Sequence, residues 1–346
     1  MKNDFPEKIL IIRLTSIGDI LLSIPLILEL RSRNPDVQID FLVAKKYQQI
    51  LDPIHSQINT KYCFDKNKKE SREIRRIREI IRGKDYEWIL DIHNSLRTKR
   101  LLFPINNKKI YRVNKFTIRR FLFVKFGFNA YPEVPVHQKY LNTAPIELPP
   151  TRSWYLDDYQ NSSRQEQLLQ EIPFLEKDNF NLVIFPGAKH RTKRWPLEKY
   201  LELIEWILQK TEWNIILSGD ASDKQLLNSK FKESERIKNV CGEHDLIGTI
   251  NLVALSDGVL SNDSGPMHIG AFLHKPQLAI FGNTVQEFGF TPLNNRAMII
   301  ENNSVDCRPC SHIGYEECPR GHFKCMKTIS VQEVFQSTLK LEKMYN

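Results

Sequence analysis

The sequence has no apolar run near the roughly 18 residues that a membrane-spanning helix requires. It also has little cysteine, six residues in 346, which is too few for the disulfide framework of a small secreted protein. The N-terminal residues do not resemble a secretory leader, because Asp4, Glu7, Arg13 and Asp19 interrupt its basic and apolar parts. We therefore expect a globular, cytoplasmic protein, and a chain of this length predicts about two domains.

Acidic residues are missing from one long stretch of the chain. No Asp or Glu occurs between Asp91 and Glu133, although the whole sequence has 41 acidic residues against 50 Lys and Arg. The basic residues there are Arg97, Lys99, Arg100, Lys108, Lys109, Arg112, Lys115, Arg119, Arg120 and Lys125. A field of one sign favours a polyanionic partner: nucleic acid, an anionic membrane surface or a phosphorylated substrate. The alternative is a solvated basic face without a partner.

Short apolar segments alternate with amphipathic ones in both parts of the chain. The first part predicts strands at residues 9–12, 38–43, 58–64 and 88–91, and helices at 20–32 and 70–82. The second part predicts strands at 181–185, 214–217, 258–261, 278–281 and 298–300, and helices at 197–209, 223–231, 246–255, from 266, and at 331–344. Between the two parts, the proline-rich residues 131–178 predict an interdomain connection.

This alternation predicts an α/β fold class with two Rossmann-like parallel-sheet domains that face a central cleft. We place the N-terminal domain at residues 1–165, the C-terminal domain at 175–330 and a final helix at 331–346. Ligands of such folds bind at the carboxyl ends of the strands, beside helix N-termini. The turns that follow the strands are therefore the first places to look for chemistry.

The first such turn lies in LTSIGDILLSIP, residues 14–25, between a predicted strand and a predicted helix. It carries the small residues Thr15, Ser16 and Gly18, followed by a single carboxylate, Asp19. Small residues leave room for a bulky ligand, and a carboxylate can accept a proton from a hydroxyl group. The simpler alternative is that Asp19 only caps a helix that starts at Ile20.

A second turn, SNDSGPMHIG at residues 261–270, also follows a predicted strand. Pro266 suits a first helical position, and Gly265 allows a close approach of the backbone. The free amides of this helix start and the Ser264 hydroxyl would form an anion site that His268 could also contact. A capped helix with a surface histidine is the alternative, and the chain has no Walker A motif.

A third turn, FPGAKHRTKRWP at residues 185–196, is rich in cations. Lys189, Arg191, Lys193 and Arg194 lie close together in one loop between a strand and a helix. Cations at such a place suit a diphosphate leaving group, because they stabilise negative charge as it develops. The alternative is a basic surface loop.

Taken together, LTSIGDILLSIP, DIHNSLRTKRL, FPGAKHRTKRWP, SNDSGPMHIGAF and PQLAIFGNT resemble glycosyltransferase family 9, whose best-known members are ADP-heptose:lipopolysaccharide heptosyltransferases. The resemblance extends from Lys8 to about Ile329, with the motifs in the order of the family. It implies the GT-B architecture, in which the first half binds the acceptor and the second half binds the nucleotide sugar.

The resemblance also implies roles for individual residues. Asp19 matches the proposed general base, and Lys193 matches the lysine of a K-x-W-P motif. Asp263 matches a contact to the donor sugar, and Asp223 matches an acid near the nucleotide ribose. The implied donor site comprises Gly187, Asp223, Asp263, Ser264, Gly265, Pro266, Met267 and His268, and the implied acceptor site comprises Thr15, Ser16, Gly18, Arg97, Lys115, Arg119 and Arg120.

The implied activity is inverting transfer of a heptose, or a related sugar, from an ADP-sugar to the inner core of lipopolysaccharide or a similar cell-envelope glycolipid. No cofactor or metal ion is expected, because cations and amides can hold the diphosphate. The aromatic residues near 121–128 would rest on the inner leaflet of the inner membrane, and no nucleic-acid-binding motif is present. The alternatives are a family member with another sugar donor and a non-catalytic protein that binds nucleotides or polyanions.

A cysteine cluster near the C-terminus has no place in this scheme. Cys307, Cys310, Cys318 and Cys325 lie close together in the sequence, with His312 and His322 between them. Four thiolates suit a structural zinc ion, but the second pair lacks the usual C-x2-C spacing. Packed or free thiols are the alternative.

Overall fold

The computed structural model describes residues 5–103, 105, 109–149, 155–156, 159–176, 178–227 and 233–345. The chain divides into two compact units. The first unit contains residues 1–116 and 134–154, and the second contains residues 117–133 and 155–346. The segment 117–133, which the sequence assigned to the N-terminal domain, therefore packs with the second unit.

Each unit contains a parallel sheet. The strands, numbered in chain order, are β1 (Lys8–Ile12), β2 (Gln38–Ala44), β3 (Thr60–Phe64), β4 (Trp88–Asp91), β5 (Ile110–Arg112), β6 (Asn181–Phe185), β7 (Asn214–Leu217), β8 (Ile237–Asn239), β9 (Gly258–Asn262), β10 (Gln277–Phe281) and β11 (Ala297–Glu301). Together these sheets confirm the predicted class of two Rossmann-like α/β domains.

Helices connect the strands. They are α1 (Ile17–Leu21), α2 (Ile24–Arg33), α3 (Glu70–Arg82), α4 (Leu96–Leu102), α5 (Thr117–Phe126), α6 (Val136–Leu141), α7 (Ser162–Glu171), α8 (Leu197–Lys210), α9 (Ala221–Leu227), α10 (Leu246–Leu255), α11 (Gly265–Phe272), α12 (Lys324–Lys327) and α13 (Val331–Tyr345). No helix within the described ranges is long and apolar enough to cross a bilayer.

The strand order is β3-β2-β1-β4-β5 in the first unit and β11-β10-β9-β6-β7-β8 in the second. Central strands of parallel sheets are buried on both faces and need continuous apolar runs. Residues 9–12 of β1 and 182–184 of β6 meet this need, because all of them are fully buried.

The order of strands reverses at one place in each sheet. In the first unit this switch point lies between β1 and β4, and in the second it lies between β6 and β9. Ligands of doubly wound sheets bind at the carboxyl ends of the strands beside such a point. The turns that follow β1, β4, β6 and β9 are therefore the places where the fold positions functional side chains.

The helix predicted at residues 20–32 consists of two helices, α1 and α2. Pro25 lies in the first turn of α2, where its missing N–H costs nothing, and a continuous helix would have placed it in the interior. The helix predicted at 223–231 corresponds to α9, which starts at Ala221; residues 228–231 lie outside the described residues. The predicted connection at 131–178 contains α6 and α7.

Candidate functional site

Asp19 lies at the switch point of the first sheet, in the turn that follows β1. It occupies the third position of α1, which begins at Ile17, so the prediction that it precedes a helix starting at Ile20 was wrong. Its Oδ2 accepts hydrogen bonds from the backbone N–H of Ser16 at 3.1 Å and from the Ser16 hydroxyl at 2.8 Å. These contacts form a capping box that orients the carboxylate.

The other carboxylate oxygen of Asp19 faces two buried groups. Nη2 of Arg13 lies 2.5 Å from Oδ1, and the hydroxyl of Tyr140 donates to the same atom at 3.0 Å. Arg13 also donates to the carbonyls of Thr15 and Ile92, at 2.7 and 2.8 Å. Because Arg13 follows β1 and Ile92 follows β4, this guanidinium connects the two strand ends of the switch point.

The electrostatics keep this carboxylate ionised. Burial raises the pKa of Asp19, but the Arg13 charge and the hydrogen bonds from Ser16 and Arg13 outweigh burial, so the pKa lies below its ordinary value. Nearby, burial and then the positive charges of Arg13 and Lys115 lower the pKa of His93 to about 3. The site therefore holds a carboxylate and a neutral imidazole at neutral pH.

The remaining predicted acceptor residues divide between the two units. Gly18 is buried in α1, and Arg97 pairs with Glu70 at 3.4 Å, with its guanidinium over the ring of Phe64. Lys115 contributes to the positive field at His93, as does Arg97. Arg119 and Arg120 lie on α5, which belongs to the second unit, so the structure does not bring these four cations together in one unit.

Lys193 lies at the switch point of the second sheet, in the loop that follows β6. Its Nζ lies 2.6 Å from Oδ2 of Asp263, the residue that immediately follows β9. The hydroxyl of Thr284, in the turn after β10, donates to the same oxygen at 2.5 Å. Burial raises the pKa of Asp263, but the Lys193 ammonium and the hydrogen bonds from Lys193 and Thr284 outweigh burial and lower the pKa. Asp263 therefore holds Lys193 as a counter-ion.

The residues after β9 build the helix start that the sequence predicted. Pro266 lies in the first turn of α11, and the buried hydroxyl of Ser264 has no hydrogen-bond partner within the described ranges. His268 is buried in the same helix, α11. Met267 is fully buried and packs with Ala279 and Phe281, so its side chain belongs to the core and only its backbone faces the helix start.

Gly187 and Asp223, both predicted to bind the donor, lie in contact. A Cβ at Gly187 would overlap the carboxylate of Asp223, and so would a Cβ at Gly219. Asp223 accepts a hydrogen bond from the backbone N–H of Asp220 at 3.0 Å. Burial raises the pKa of its carboxyl group. The glycines thus give a buried acid its place beside the turn after β6.

The cysteine-rich segment, residues 305–325, packs against the Lys193 loop. The backbone and hydroxyl of Thr192 exchange hydrogen bonds of 2.8 to 3.0 Å with the backbone of Tyr315. Arg308 donates to the carbonyl of Thr284 at 2.7 Å and pairs with half-buried Glu301 at 2.5 Å. The segment therefore supports both Lys193 and the residue that holds its counter-ion.

The four cysteines of this segment are free thiols. Burial, and then the neighbouring Cys307 and Cys318, raise the pKa of Cys310 to about 11, and burial raises that of Cys325 to about 12. Among the described residues, no group of three or more His, Cys, Asp or Glu side chains is arranged to hold a metal ion. The structure thus does not support the interpretation of a zinc site at Cys307, Cys310, Cys318 and Cys325.

The sequence analysis missed several side chains of the two sites, among them Arg13, Tyr140, Thr284 and Arg308. Tyr140 lies 121 residues from Asp19, in a helix that was taken for part of a connection. Thr284 ends the FGNT motif, whose position after a strand was a usable signal. Arg308 lies in an irregular segment and gave no signal, because contacts so distant in the chain leave no local pattern.

Comparisons with known proteins show which family the chain resembles. The model of glycosyltransferase family 9 (heptosyltransferase) matches residues 74–319. The chain is 25% identical to lipooligosaccharide heptosyltransferase 2 of Haemophilus influenzae over 339 residues, which covers 85% of this chain and 88% of the relative. It is also 25% identical to lipopolysaccharide heptosyltransferase 2 of Salmonella typhimurium, with 85% and 87% covered.

Among solved structures, the chain is similar to ADP-heptose lps heptosyltransferase II of E. coli. The TM-score is 0.74 at 22% identity, and the match covers 97% of this chain and 99% of the other. This similarity confirms the predicted GT-B fold class.

Proposed function

The chain belongs to glycosyltransferase family 9, and from this premise we propose that it transfers a heptose from an ADP-sugar to the inner core of lipopolysaccharide or a closely related glycolipid. The relatives named as heptosyltransferases support this substrate pair, because they align over most of their own length. The observation that carries the proposal is that each switch point has a charged side chain fixed by a counter-ion: Asp19 by Arg13 in the first unit, and Lys193 by Asp263 in the second.

The proposed reaction is a single displacement with inversion at the anomeric carbon. Asp19 takes the proton of the acceptor hydroxyl as its oxygen bonds to the anomeric carbon. The bond from that carbon to the diphosphate breaks, and the leaving group takes the electron pair. Asp19 suits this role because hydrogen bonds fix its direction and its lowered pKa keeps it ionised.

The leaving diphosphate is the proposed ligand of the second switch point. Lys193 supplies the charge that stabilises it, and the start of α11 supplies backbone amides and the unpartnered hydroxyl of Ser264. Asp223, held against Gly187, is the proposed partner of the nucleotide ribose. We further propose that no metal ion is needed, since these cations and amides supply the positive charge. Turnover that survives EDTA would support this, and loss that zinc or magnesium restores would contradict it.

The experiment that tests the function is turnover of a panel of nucleotide sugars by the purified protein, with a heptose-free inner-core glycolipid as acceptor. We expect transfer from ADP-heptose and little from ADP-glucose or UDP-sugars, because a few pocket hydrogen bonds select the sugar. Preferred turnover of a hexose or amino-sugar donor would replace the heptose assignment. Binding of ADP without transfer from any donor would indicate a non-catalytic protein.

The proposed acceptor is anionic and anchored in a membrane, and α5 offers a surface for that membrane. Phe123 fixes the helix to the second unit through a ring contact with Phe288 at 5.8 Å between centroids. Ile118, Phe121 and Phe126 remain 58 to 76% exposed. Exposed aromatic and basic side chains together suit the interface of a bilayer with anionic lipids. We therefore propose a peripheral position at the inner leaflet of the inner membrane, reached from the cytoplasm.

Flotation with vesicles tests this surface. The wild-type protein should float with vesicles that contain phosphatidylglycerol, and less with neutral phosphatidylcholine vesicles. A Phe121→Glu/Phe126→Glu variant should lose this binding. The control Leu226→Glu, which changes an exposed leucine of α9, should keep it. Equal flotation of both variants, or binding of duplex DNA instead of vesicles, would contradict the assignment.

A further inference from the structure

We propose that Tyr140 is a positioning residue for Asp19. Together with Arg13 it holds Oδ1, so that Oδ2 is the atom that receives the proton of the acceptor. The acceptor hydroxyl then takes the place that the Ser16 hydroxyl occupies on Oδ2. The inference rests on the proposed function, because it presupposes that Asp19 acts as the base. It adds the identity of the reacting oxygen and a tyrosine that no sequence motif of this chain marked.

The carboxylate of Asp19 already accepts as many hydrogen bonds as it can. A carboxylate has about four acceptor positions, two on each oxygen. In Asp19 all four are used, by Arg13 and Tyr140 on Oδ1 and by the N–H and hydroxyl of Ser16 on Oδ2. An acceptor hydroxyl that gives its proton to this group must therefore displace one of the four donors.

Burial decides which donor leaves. Arg13 and Tyr140 are 8% and 3% exposed, so removing either from Oδ1 would leave a buried polar group without its partner. Ser16 is exposed, and its released hydroxyl can turn to solvent. The backbone N–H of Ser16 stays in place, because the start of α1 fixes it. The exposed hydroxyl on Oδ2 is thus the least costly contact to exchange.

Tyr140 itself is well suited to hold a charge without competing for the proton. Burial raises the pKa of its hydroxyl well above the usual value, and so does Asp19, so Tyr140 remains a neutral donor. The guanidinium of Arg13 lies 5.5 Å from the centre of its ring. Arg13, Tyr140 and Asp19 therefore form one cluster, to which the turn after β1, α6 and α1 each contribute a side chain.

Other charged groups around the cluster bear on its titration. His93, in the turn after β4, interacts with both Asp19 and Arg13, and Asp91, the last residue of β4, interacts with Arg13. Lys115 and Arg97 add positive charge at His93. Tyr140→Phe removes none of these groups, and we expect each of them to stay in place. A change in the titration of Asp19 in such a variant therefore reports the lost hydrogen bond.

Tyr140→Phe is the direct test, because it keeps the ring and its packing and removes the hydroxyl. We expect kcat to fall about tenfold, with little change in KM for donor or acceptor, since a hydrogen bond to a charged group is lost at the base. We also expect the pKa of Asp19 to rise, because that hydrogen bond favours the charged form. Carbon-13 NMR of labelled aspartate carboxyl groups, assigned with Asp19→Asn, measures this change.

Tyr86→Phe is the matched control. Tyr86 donates a hydrogen bond of 2.6 Å to buried Asp40 of β2, in the same unit. This variant should lower the melting temperature at least as much as Tyr140→Phe. It should keep the wild-type kcat and the wild-type titration of Asp19. A purely structural role of Tyr140 predicts the same behaviour for both variants.

The outcomes separate the inference from the proposed function. If the wild type transfers heptose and Asp19→Asn does not, but Tyr140→Phe keeps the wild-type kcat and the wild-type pKa of Asp19, the inference is overturned alone. If the wild type transfers no sugar, the proposed function fails and the inference fails with it. If the wild type transfers heptose but Asp19→Asn does so at the same rate, Asp19 is not the base, and the inference fails while the proposed function stands.

Discussion

Each of the two sheets has an ion pair at its switch point, but the member that we propose to act on substrate is an acid in the first unit and a cation in the second. In the first unit Arg13 holds Asp19, and the exposed fractions of their side chains are 10% and 14%. In the second unit Asp263 holds Lys193, with 7% and 16% exposed. In each pair the more exposed member is the one we propose to act on substrate, and the more buried member fixes it. The same arrangement thus serves an acid on one side and a cation on the other.

This comparison also shows how a charge is kept in place. In each unit a neutral hydroxyl also contacts the ion pair. In the first unit it contacts the group that we propose to act on substrate, and in the second unit it contacts the counter-ion. Tyr140 donates to Asp19, and Thr284 donates to Asp263. Breaking a buried ion pair leaves an uncompensated charge, which costs more than the net contribution of the pair. Variants at either switch point should therefore affect both activity and stability.

The largest expected effect is on the first switch point. Asp19→Asn should lower transfer about 10³-fold, because a positioned general base contributes on this order. Its affinity for ADP should stay at the wild-type value, since we propose that Asp19 acts on the acceptor and not on the nucleotide. Asp40→Asn changes another buried carboxylate of the first unit and should keep transfer. Initial rates and calorimetric titration with ADP measure both quantities; weakened ADP binding in Asp19→Asn would contradict the division between the units.

The matching change in the second unit is Lys193→Met. We expect kcat to fall about 10²-fold, because a cation that stabilises the leaving group is lost, and ADP to bind more weakly. The free energy of unfolding should fall by about 3 kcal/mol, because buried Asp263 loses its partner. Lys224→Met breaks an exposed pair with Glu243 and should change neither by much. Urea unfolding and steady-state kinetics test this, and unchanged ADP affinity in Lys193→Met would contradict it.

A smaller effect is expected at the support of the second site. Arg308→Met removes the hydrogen bond to the carbonyl of Thr284 and the ion pair with half-buried Glu301. The displaced Thr284 should raise KM for the donor about tenfold, while KM for the acceptor stays the same. Kinetics with each substrate varied in turn measure this split. An equal rise in both KM values would show that the residue supports the fold in general.

The smallest expected effect is a pH dependence of the free energy of unfolding, caused by His93 in the first unit. The pKa of His93 is about 3 in the folded protein against 6.5 for an ordinary histidine, so the unfolded chain binds a proton first as the pH falls. The free energy of unfolding should therefore decrease as the pH is lowered from 6.5 towards 3. His93→Gln should reduce this decrease, and His55→Gln, at an exposed histidine, should not. Urea midpoints at pH 7, 6 and 5 provide the measurement, and parallel curves for wild type and His93→Gln would contradict the lowered pKa of this half-buried imidazole.

Much of the fold was predictable from local pattern. The bounds of α3, α10, β4, β6 and β7 agree with the sequence predictions, because each is a strongly periodic or continuously apolar segment. The edge strands β5 and β8 were missed. Each has only three residues, and residues 110–112 are half-buried or exposed, so neither periodicity nor an apolar run marks that strand.

The candidate sites were predictable only in part. Asp19 and Lys193 stand in turns after strands, where the type and position of a residue already suggest chemistry. Their partners were partly hidden: Asp263 lies in a recognisable motif, but Tyr140 comes from a short helix far along the chain. The burial of Met267 could not be predicted either. A helix that is apolar on most sides has no polar face, so its sequence pattern does not indicate which side chains face the core.

The central claim is direct displacement, in which the acid of the first unit activates the acceptor while the cation of the second unit holds the leaving diphosphate. The anomeric configuration of the product, determined by NMR and compared with that of the donor, tests it most directly. The account predicts inversion. A product that retains the configuration of the donor would require an intermediate that this pair of sites does not provide, and it would contradict the account.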